Sequence, residues 1–227
     1  MSAILALDAT TANCSVSLVF EDGHAITRSE WVPQGHARVI LPWVDEILQE
    51  AQLDPHSLRA LRALAWVQGP GAFTGLRIAA GVVQGLAMGW QKPVISLPSL
   101  SVLVSQIPLA KRVVGGRYWA LLDARMDEVY AQSFQYQAQG FVAENDPQLW
   151  PIADLTMALA EPHQGSIGDL MNLKQGWDTI KPLLHDWRAA WPEAEAAGRL
   201  AWSQLDQAWS LDQQLPEPIY LRPSVVK

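Results

Sequence analysis

The chain has 227 residues, 49% of them apolar and 17% charged, which excludes a disordered protein and gives enough apolar surface for one large domain or two small ones. Its formal net charge of −7 argues against a protein that binds nucleic acid by itself, because such binding depends on Lys and Arg that neutralise phosphates. The single cysteine, Cys14, excludes an internal disulfide framework, and without a long apolar run or a basic amino-terminal region we expect a cytoplasmic protein with no membrane span or signal peptide.

The first half of the chain reads as a β-meander followed by alternating helices and strands. The predicted strands are Ala3–Leu7, Ser15–Glu21, Ala25–Trp31, Leu64–Gln68 and Val94–Leu97. Apolar residues at helical spacing predict a helix over about His36–Ala51. A second helix follows the glycine-rich loop after residue 68, with Thr74 as its predicted N-cap and Gly89 as its C-terminal stop.

The second half begins by repeating this layout. The segment WALLDARMDEVYAQSFQYQAQG, from Trp119, matches ILALDATTANCSVSLVFEDG, from Ile4: an apolar strand that ends in Asp, a polar turn, an alternating strand and a glycine turn. Asp8 and Asp123 hold corresponding positions. Such a match can arise by chance, but if it records a duplication it predicts two similar α/β lobes, residues 1–108 and 109–227.

The loop GPGAFTG, from Gly69, has the look of a phosphate-binding loop but fits neither common pattern. Leu76-Arg77 follows Gly75 where a Walker A loop has Lys and Ser or Thr, and no glycine stands at the offset of a dinucleotide fingerprint. Anion binding at the start of the helix stays open, beside the simpler interpretation of a tight strand-to-helix connection.

Three glycines then recur every four residues within the predicted helix, at Gly81, Gly85 and Gly89. A helical glycine costs about 1 kcal/mol relative to alanine, so a stripe of three needs a reason. Close approach of another backbone is the favoured one. Either a partner helix or this chain's own sheet would supply that backbone.

The other candidate groups have structural as well as chemical interpretations. Asp8 and Asp123 could share a metal, but capping of their own turns is favoured. His36 could be a ligand or base, but an exposed capping residue is favoured, and no two histidines stand at the i,i+4 spacing of a metal pair. Cys14 is expected to be a buried small hydrophobe. Core or interface packing is favoured over base stacking for Trp177, Trp187, Trp191, Trp202 and Trp209.

Five segments resemble, in order, those of the TsaB (YeaZ) family of bacterial tRNA threonylcarbamoyladenosine biosynthesis proteins. They are ILALDATTANCSVSLV, GHARVILPWVDEIL, WVQGPGAFTGLRIAAGVVQGLAMG, LLDARMDEVYA and EPIYLRPSV. The resemblance covers nearly all of residues 2–140 and the tail, and it is weak between residues 146 and 210.

The resemblance implies the duplicated actin-like ATPase fold, an α/β architecture with ribonuclease H-like lobes, and a non-catalytic role. It implies a heterodimer with TsaD, which transfers the threonylcarbamoyl group to adenosine 37 of ANN-decoding tRNAs, and a larger complex with TsaE, an ATPase. It implies a homodimer when the chain is alone, contact with tRNA only through the complex, no cofactor or metal of its own, and no peptidase activity. The implied partner interface lies on the two helices, at His36, Ile40, Trp43, Val44, Ile47, Thr74, Arg77, Ile78, Gly81, Val82 and Gly85.

The same resemblance implies a vestigial nucleotide turn at Asp8, Thr10, Thr11 and Asp123. Thr10 stands where actin-like proteins usually have a phosphate-approaching glycine, Ala9 replaces the family's second Thr, and the second lobe reads Gly168-Asp169-Leu170 in place of a Gly-x-Gly turn. These departures disfavour nucleotide binding by this chain. The alternative of another class is a small ATP-dependent kinase or phosphotransferase of the same fold.

Overall fold

The computed structural model describes residues 1–54, 58–173 and 176–222, which form two compact units. Unit 1 consists of Met1–Val102 and Pro192–Ile219. Unit 2 consists of Leu103–Trp191 and, at the end of the described residues, Tyr220 to Arg222. The observed boundary, after Val102, lies close to the predicted one at residue 108. The predicted second lobe, residues 109–227, was wrong near the C-terminus, because residues 192–219 belong to unit 1.

The elements of the described residues, in chain order, are as follows. The strands are β1 (Ala3–Asp8), β2 (Asn13–Phe20), β3 (Ala25–Trp31), β4 (Leu61–Gly69), β5 (Val94–Pro98), β6 (Arg117–Asp123), β7 (Glu128–Gln137), β8 (Gly140–Ala143), β9 (Gln148–Pro151), β10 (Gly165–Asp169) and β11 (Arg188–Ala189). The helices are α1 (His36–Glu50), α2 (Phe73–Trp90), α3 (Ser99–Ser105), α4 (Ile152–Leu159), α5 (Trp177–Ile180) and α6 (Ala194–Trp202), with three short 3₁₀ turns elsewhere.

Unit 1 is a sheet of order β3-β2-β1-β4-β5 with helices on both faces. β2 runs antiparallel to β1 and β3, while β4 runs parallel to β1 and β5. Because side chains alternate along a strand, Leu5 of β1 packs in one core with residues of α1 and α2, and Ala6 packs in the other with residues of α6. Small residues of α6, among them Ala197, lie in that second core, and this burial is why residues 192–219 belong to unit 1.

Unit 2 repeats this topology. Its sheet has the order β11-β10-β6-β7-β8, with β9 added beside β7. β7 runs antiparallel to β6 and β8, and β10 runs parallel to β6 and β11, so the five strands correspond one by one to β5-β4-β1-β2-β3. The duplication predicted from the sequence is confirmed, and Asp8 and Asp123 are the last residues of corresponding strands.

The predicted ends of α2 were wrong by one residue or more. Ala72, not Thr74, is the N-cap residue, and it makes no side-chain cap hydrogen bond. The helix continues through Gly89 to Trp90 and ends at Gln91, which takes the left-handed conformation with a φ of 52°.

No helix in the described ranges is long and apolar enough to cross a membrane.

Candidate functional site

The turn after β1 closes on itself. The Asp8 side chain is fully buried, and its Oδ1 accepts hydrogen bonds from the backbone N–H of Thr10 (3.1 Å) and the Thr10 hydroxyl (2.7 Å). Thr11 Oγ1 in turn accepts from the backbone N–H of Asn13 at 3.2 Å. The capping interpretation of Asp8 is confirmed.

The loop before α2 lies directly against this turn. The backbone N–H of Ala72 donates to the Thr10 carbonyl at 2.7 Å. A Cβ placed on Gly71 would lie 2.5 Å from that same carbonyl oxygen, and one on Gly75 would overlap the carbonyl of Ala9. These two glycines are therefore required because backbone meets backbone, with no room for a side chain between them.

His36 fastens the turn from another side. Its imidazole is buried, and Nε2 lies 2.7 Å from the carbonyl oxygen of Thr11. A carbonyl only accepts, so Nε2 carries the proton and donates. The expectation of an exposed capping residue was wrong: the side chain is buried, and its Nε2 forms a hydrogen bond to the backbone.

The closed turn changes the chemistry of the groups inside it. Burial raises the pKa of Asp8 to about 7, against the hydrogen bonds from Thr10, which lower it. Its Oδ2 is buried and has no hydrogen-bond partner among the described residues. Burial, with Asp8 nearby, likewise raises the pKa of the Cys14 thiol to about 12, so Cys14 is the inert buried residue that the sequence predicts.

The corresponding turn of unit 2 is also capped by its aspartate. Asp123 Oδ1 accepts from the backbone N–H of Arg125 at 2.8 Å, and the Arg125 guanidinium lies 3.3 Å from Oδ2. Within residues 1–54, 58–173 and 176–222, no group of three or more His, Cys, Asp or Glu side chains is arranged to hold a metal. Both aspartates therefore act as turn caps in this structure.

The residues predicted for a partner interface fall into three sets. Those buried in the core of unit 1 are His36, Ile40, Val44 and Ile47; those half-buried are Trp43, Ile78 and Val82; those exposed are Thr74, Arg77, Gly81 and Gly85. The first set has no side-chain surface to offer another protein. The exposed set lies entirely on α2.

The exposed set forms one face of α2. The spacing from Thr74 through Arg77, Gly81 and Gly85 to Met88 follows the helical repeat, so these residues share a line along the helix. The Arg77 guanidinium lies 3.9 Å from the centroid of the Phe73 ring, which is itself exposed. This face, from residue 74 to residue 89, is called the glycine face below.

Among the described residues, nothing packs against the three glycines of the glycine face. A Cβ added at Gly81, Gly85 or Gly89 would meet nothing within 4 Å. The sequence left open whether this stripe packs on the chain's own sheet, and the structure excludes that alternative. The glycine that does so is Gly198 on α6, whose added Cβ would lie 2.5 Å from Val19 Cγ2.

Sequence reasoning did not identify the contact of Gly71 and Gly75 with the turn, nor the role of Gly198. For the exposure of the glycine face, the sequence does carry a signal, in the spacing of the apolar residues of α2. Leu76, Ala79 and Val83 mark the buried side of α2, and the glycine face is offset from them. No comparable signal links a loop to a turn some 60 residues earlier in the chain.

Comparison with known proteins gives a consistent result. Residues 30–181 match the family model described as TsaD, tRNA N6-adenosine threonylcarbamoyltransferase. The chain is 33% identical over 98% of its length to the tRNA threonylcarbamoyladenosine biosynthesis protein TsaB of Escherichia coli K12, of which it covers 95%. It is 41% identical over 56% of its length to TsaB of Haemophilus influenzae, of which it covers 51%.

Two solved structures support the same family assignment. YeaZ from Pseudomonas aeruginosa superposes with a TM-score of 0.73 at 33% identity, covering 97% of this chain and all of that one. A second Pseudomonas aeruginosa structure, described as similar to peptidase YeaZ, gives a TM-score of 0.77 at 34% identity over 98% of this chain and all of that one. On its sequence, its duplicated α/β lobes and these relatives, the chain belongs to the TsaB (YeaZ) family, within the TsaD-like superfamily.

Proposed function

We propose that this protein is a non-catalytic subunit that binds and activates TsaD in the threonylcarbamoylation of adenosine 37 of ANN-decoding tRNAs. The names of its relatives place them in biosynthesis of that modified nucleoside. The observation that carries the proposal is the glycine face: in the 18-residue helix α2, a Cβ added at Gly81, Gly85 or Gly89 would meet nothing within 4 Å among the described residues. Helical glycines of that kind are explained by a second helix that approaches closely.

The partner would dock along α2. Gly81 and Gly85 lie at the centre of the proposed interface, with half-buried Ile78 and Val82 beside them. Exposed Phe73 and Met88 near the ends of the helix add apolar surface at the two limits of the contact. Aromatic residues and Met are enriched in interfaces.

The same face would serve a homodimer when TsaD is absent. A two-fold dimer uses one patch on both subunits, so Gly85 of one copy would lie near its counterpart in the other. A face that is already covered by a second copy is closed to TsaD. The homodimer and the heterodimer are therefore mutually exclusive, and TsaD should dissociate the homodimer.

The alternative of an ATP-dependent kinase or phosphotransferase is not favoured by the first turn. A phosphate grip needs backbone N–H groups free to face the ligand. Here the Thr10 N–H is bonded to Asp8, and the loop at Gly71 and Gly75 covers the turn. Equilibrium binding of ATP with magnesium to the purified protein tests this alternative, because tight binding would revive it.

The remaining features of the proposal concern the complex. TsaE would join through the larger assembly, and with a net charge of −7 the protein would contact tRNA only within it. It would need no cofactor or metal of its own, would have no peptidase activity, and would work in the cytoplasm.

Reconstitution tests the proposal. The chain alone, with threonine, bicarbonate, ATP, the adenylate-forming enzyme and tRNA, should leave adenosine 37 unmodified. Addition of TsaD and TsaE should give modification that is lost when the chain is omitted. Modified tRNA in the first mixture would refute the non-catalytic role, and full activity without the chain would refute the activating role.

A further inference from the structure

The turn between β6 and β7 has an unusual backbone. Arg125, Met126 and Asp127 have φ values of 64°, 59° and 56°, which places three successive residues in the left-handed region. None of them is glycine. Side chains other than glycine adopt this conformation as single residues and rarely in a run, so the surroundings must hold the turn.

Arg222, from the C-terminal tail, holds it. Its Nη2 lies 2.9 Å from the carbonyl oxygen of Ala124, 3.2 Å from that of Arg125 and 2.6 Å from Glu128 Oε2. Its Nη1 lies 2.7 Å from Met126 Sδ. One planar guanidinium thus contacts four of the five residues from Ala124 to Glu128, which is a geometry that lysine cannot reproduce.

The turn presents an apolar side chain beside a carboxylate that forms no ion pair with the described residues. Met126 is 81% exposed, more than Met157 or Met171 in the same unit. Arg125 is paired with Asp123, and Glu128 with Arg222. Asp127 is exposed and makes no ion pair with any described residue.

We propose that the Ala124–Glu128 turn is a protein-docking element: Met126 enters an apolar pocket with Lys or Arg at its rim in another protein of the modifying complex, and Arg222 is the positioning residue that holds the turn. This inference rests on the function proposed above. Backbone strain persists where binding sites are preorganised, and a preorganised turn loses less entropy when it docks. The methionine side chain adapts to irregular apolar pockets. Asp127 selects a basic rim and disfavours RNA phosphates as the occupant.

The first test changes the docking side chain. Met126→Gln removes the apolar contact while leaving the backbone contacts of Arg222, and Met157→Gln is the control at another exposed methionine of the same unit, on α4. The readout is the concentration of chain that gives half-maximal tRNA modification in the reconstituted system. Met126→Gln should raise it at least fivefold with the rate at saturation unchanged, and Met157→Gln should leave it unchanged. Equal values for both variants and the unmodified protein would overturn the proposal.

Cross-linking identifies the class of partner. A photoreactive methionine analogue at position 126 should form an adduct with a protein of the complex. An adduct with tRNA, or none under conditions where the complex is active, would overturn the assignment of a protein partner.

The second test changes the positioning residue, Arg222. Arg222→Gln should raise the half-maximal concentration as Met126→Gln does, and should speed tryptic cleavage after Arg125 at least tenfold, because cleavage needs an extended backbone at that bond. Arg222→Lys should recover only part of either effect. If Arg222→Gln lowers the melting temperature but leaves the half-maximal concentration unchanged, the arginine is structural only and the proposal fails.

The two proposals fail in distinguishable ways. A Gly85→Leu variant that loses TsaD while Met126→Gln acts as the unmodified protein leaves the function standing and refutes the docking turn. An unmodified chain that neither binds TsaD nor supports modification refutes both.

Discussion

The substitution Gly85→Leu separates a partner interface from internal packing. An added Cβ at this position meets nothing within 4 Å, and the residue is exposed, so the larger side chain has room within the lone protein. Leucine is also the better helix former by somewhat less than about 1 kcal/mol. The free energy of unfolding of the monomer should therefore stay unchanged or rise, which corresponds to a melting temperature up to about 2–4 °C higher for a protein of this size. Both proteins are melted at a concentration where neither dimerises, because self-association itself stabilises the folded state.

Association should change in the opposite direction. A leucine in a close helix–helix contact overpacks it, which typically costs about 1–3 kcal/mol. Because each 1.4 kcal/mol is a factor of ten, we expect binding to TsaD and self-association to weaken by roughly tenfold or more. Gly85→Ala gives the same gain in helix propensity with far less bulk, so it should stabilise the lone protein and weaken association less.

Gly198 supplies the matched control within the same unit. Its added Cβ would lie 2.5 Å from Val19 Cγ2, so Gly198→Ala should lower the melting temperature, where Gly85→Ala should raise it. Calorimetry measures stability, and analytical ultracentrifugation with and without TsaD measures association. A Gly85→Leu protein that melts lower and still pairs with unchanged affinity would refute the assignment of this face to a partner.

Three further predictions concern the closed turn of unit 1. Gly75→Ala forces a methyl group onto the Ala9 carbonyl and should cost about 1–3 kcal/mol, seen as a lower melting temperature in calorimetry; an unchanged melting temperature would show that loop and turn can separate freely. Since the pKa of Asp8 is raised from 3.8 to about 7, the folded protein holds a proton that the unfolded chain releases, and the free energy of unfolding should fall as pH rises from about 4 to 7 and level off above that. Asp8→Asn should remove this fall and raise the melting temperature relative to the unmodified protein more at pH 8 than at pH 4; an equal difference at both pH values would contradict the raised pKa. The Cys14 thiol, buried and with a pKa of about 12, should resist a thiol-specific reagent in the native protein and react once urea unfolds it, whereas rapid native reaction would contradict its burial.

Much of the fold was predictable because local signals agreed. The predicted bounds of β3 are those observed, and the helical spacing between residues 36 and 51 predicted α1 to within one residue. The internal match between Asp8 and Asp123 predicted the duplicated topology. These features depend on periodicity along the chain, which a sequence displays directly.

Other features depend on contacts between distant segments. Residues 192–219 join unit 1 because α6 buries its alanines against the second face of the first sheet. The local sequence around α6 does not indicate which sheet it packs against. His36 follows a glycine at a helix start, where an exposed residue is common, yet the Thr11 carbonyl fixes it inside. The buried α1 residues of the predicted interface are a similar case, since the apolar spacing that located α1 marks the side that faces its own core.

The segment from Gly71 to Gly89 illustrates why composition alone could not assign its function. It contains glycines for two physically different reasons: Gly71 and Gly75 have no space for a side chain because the chain's own turn lies against them, while Gly81, Gly85 and Gly89 have open space. The first kind lets the loop lie directly against the turn after β1. The second kind lowers the stability of the helix, and no contact with the described residues compensates for that cost. A helix that carries glycines on its exposed face at a cost in stability is what we expect of the proposed docking subunit.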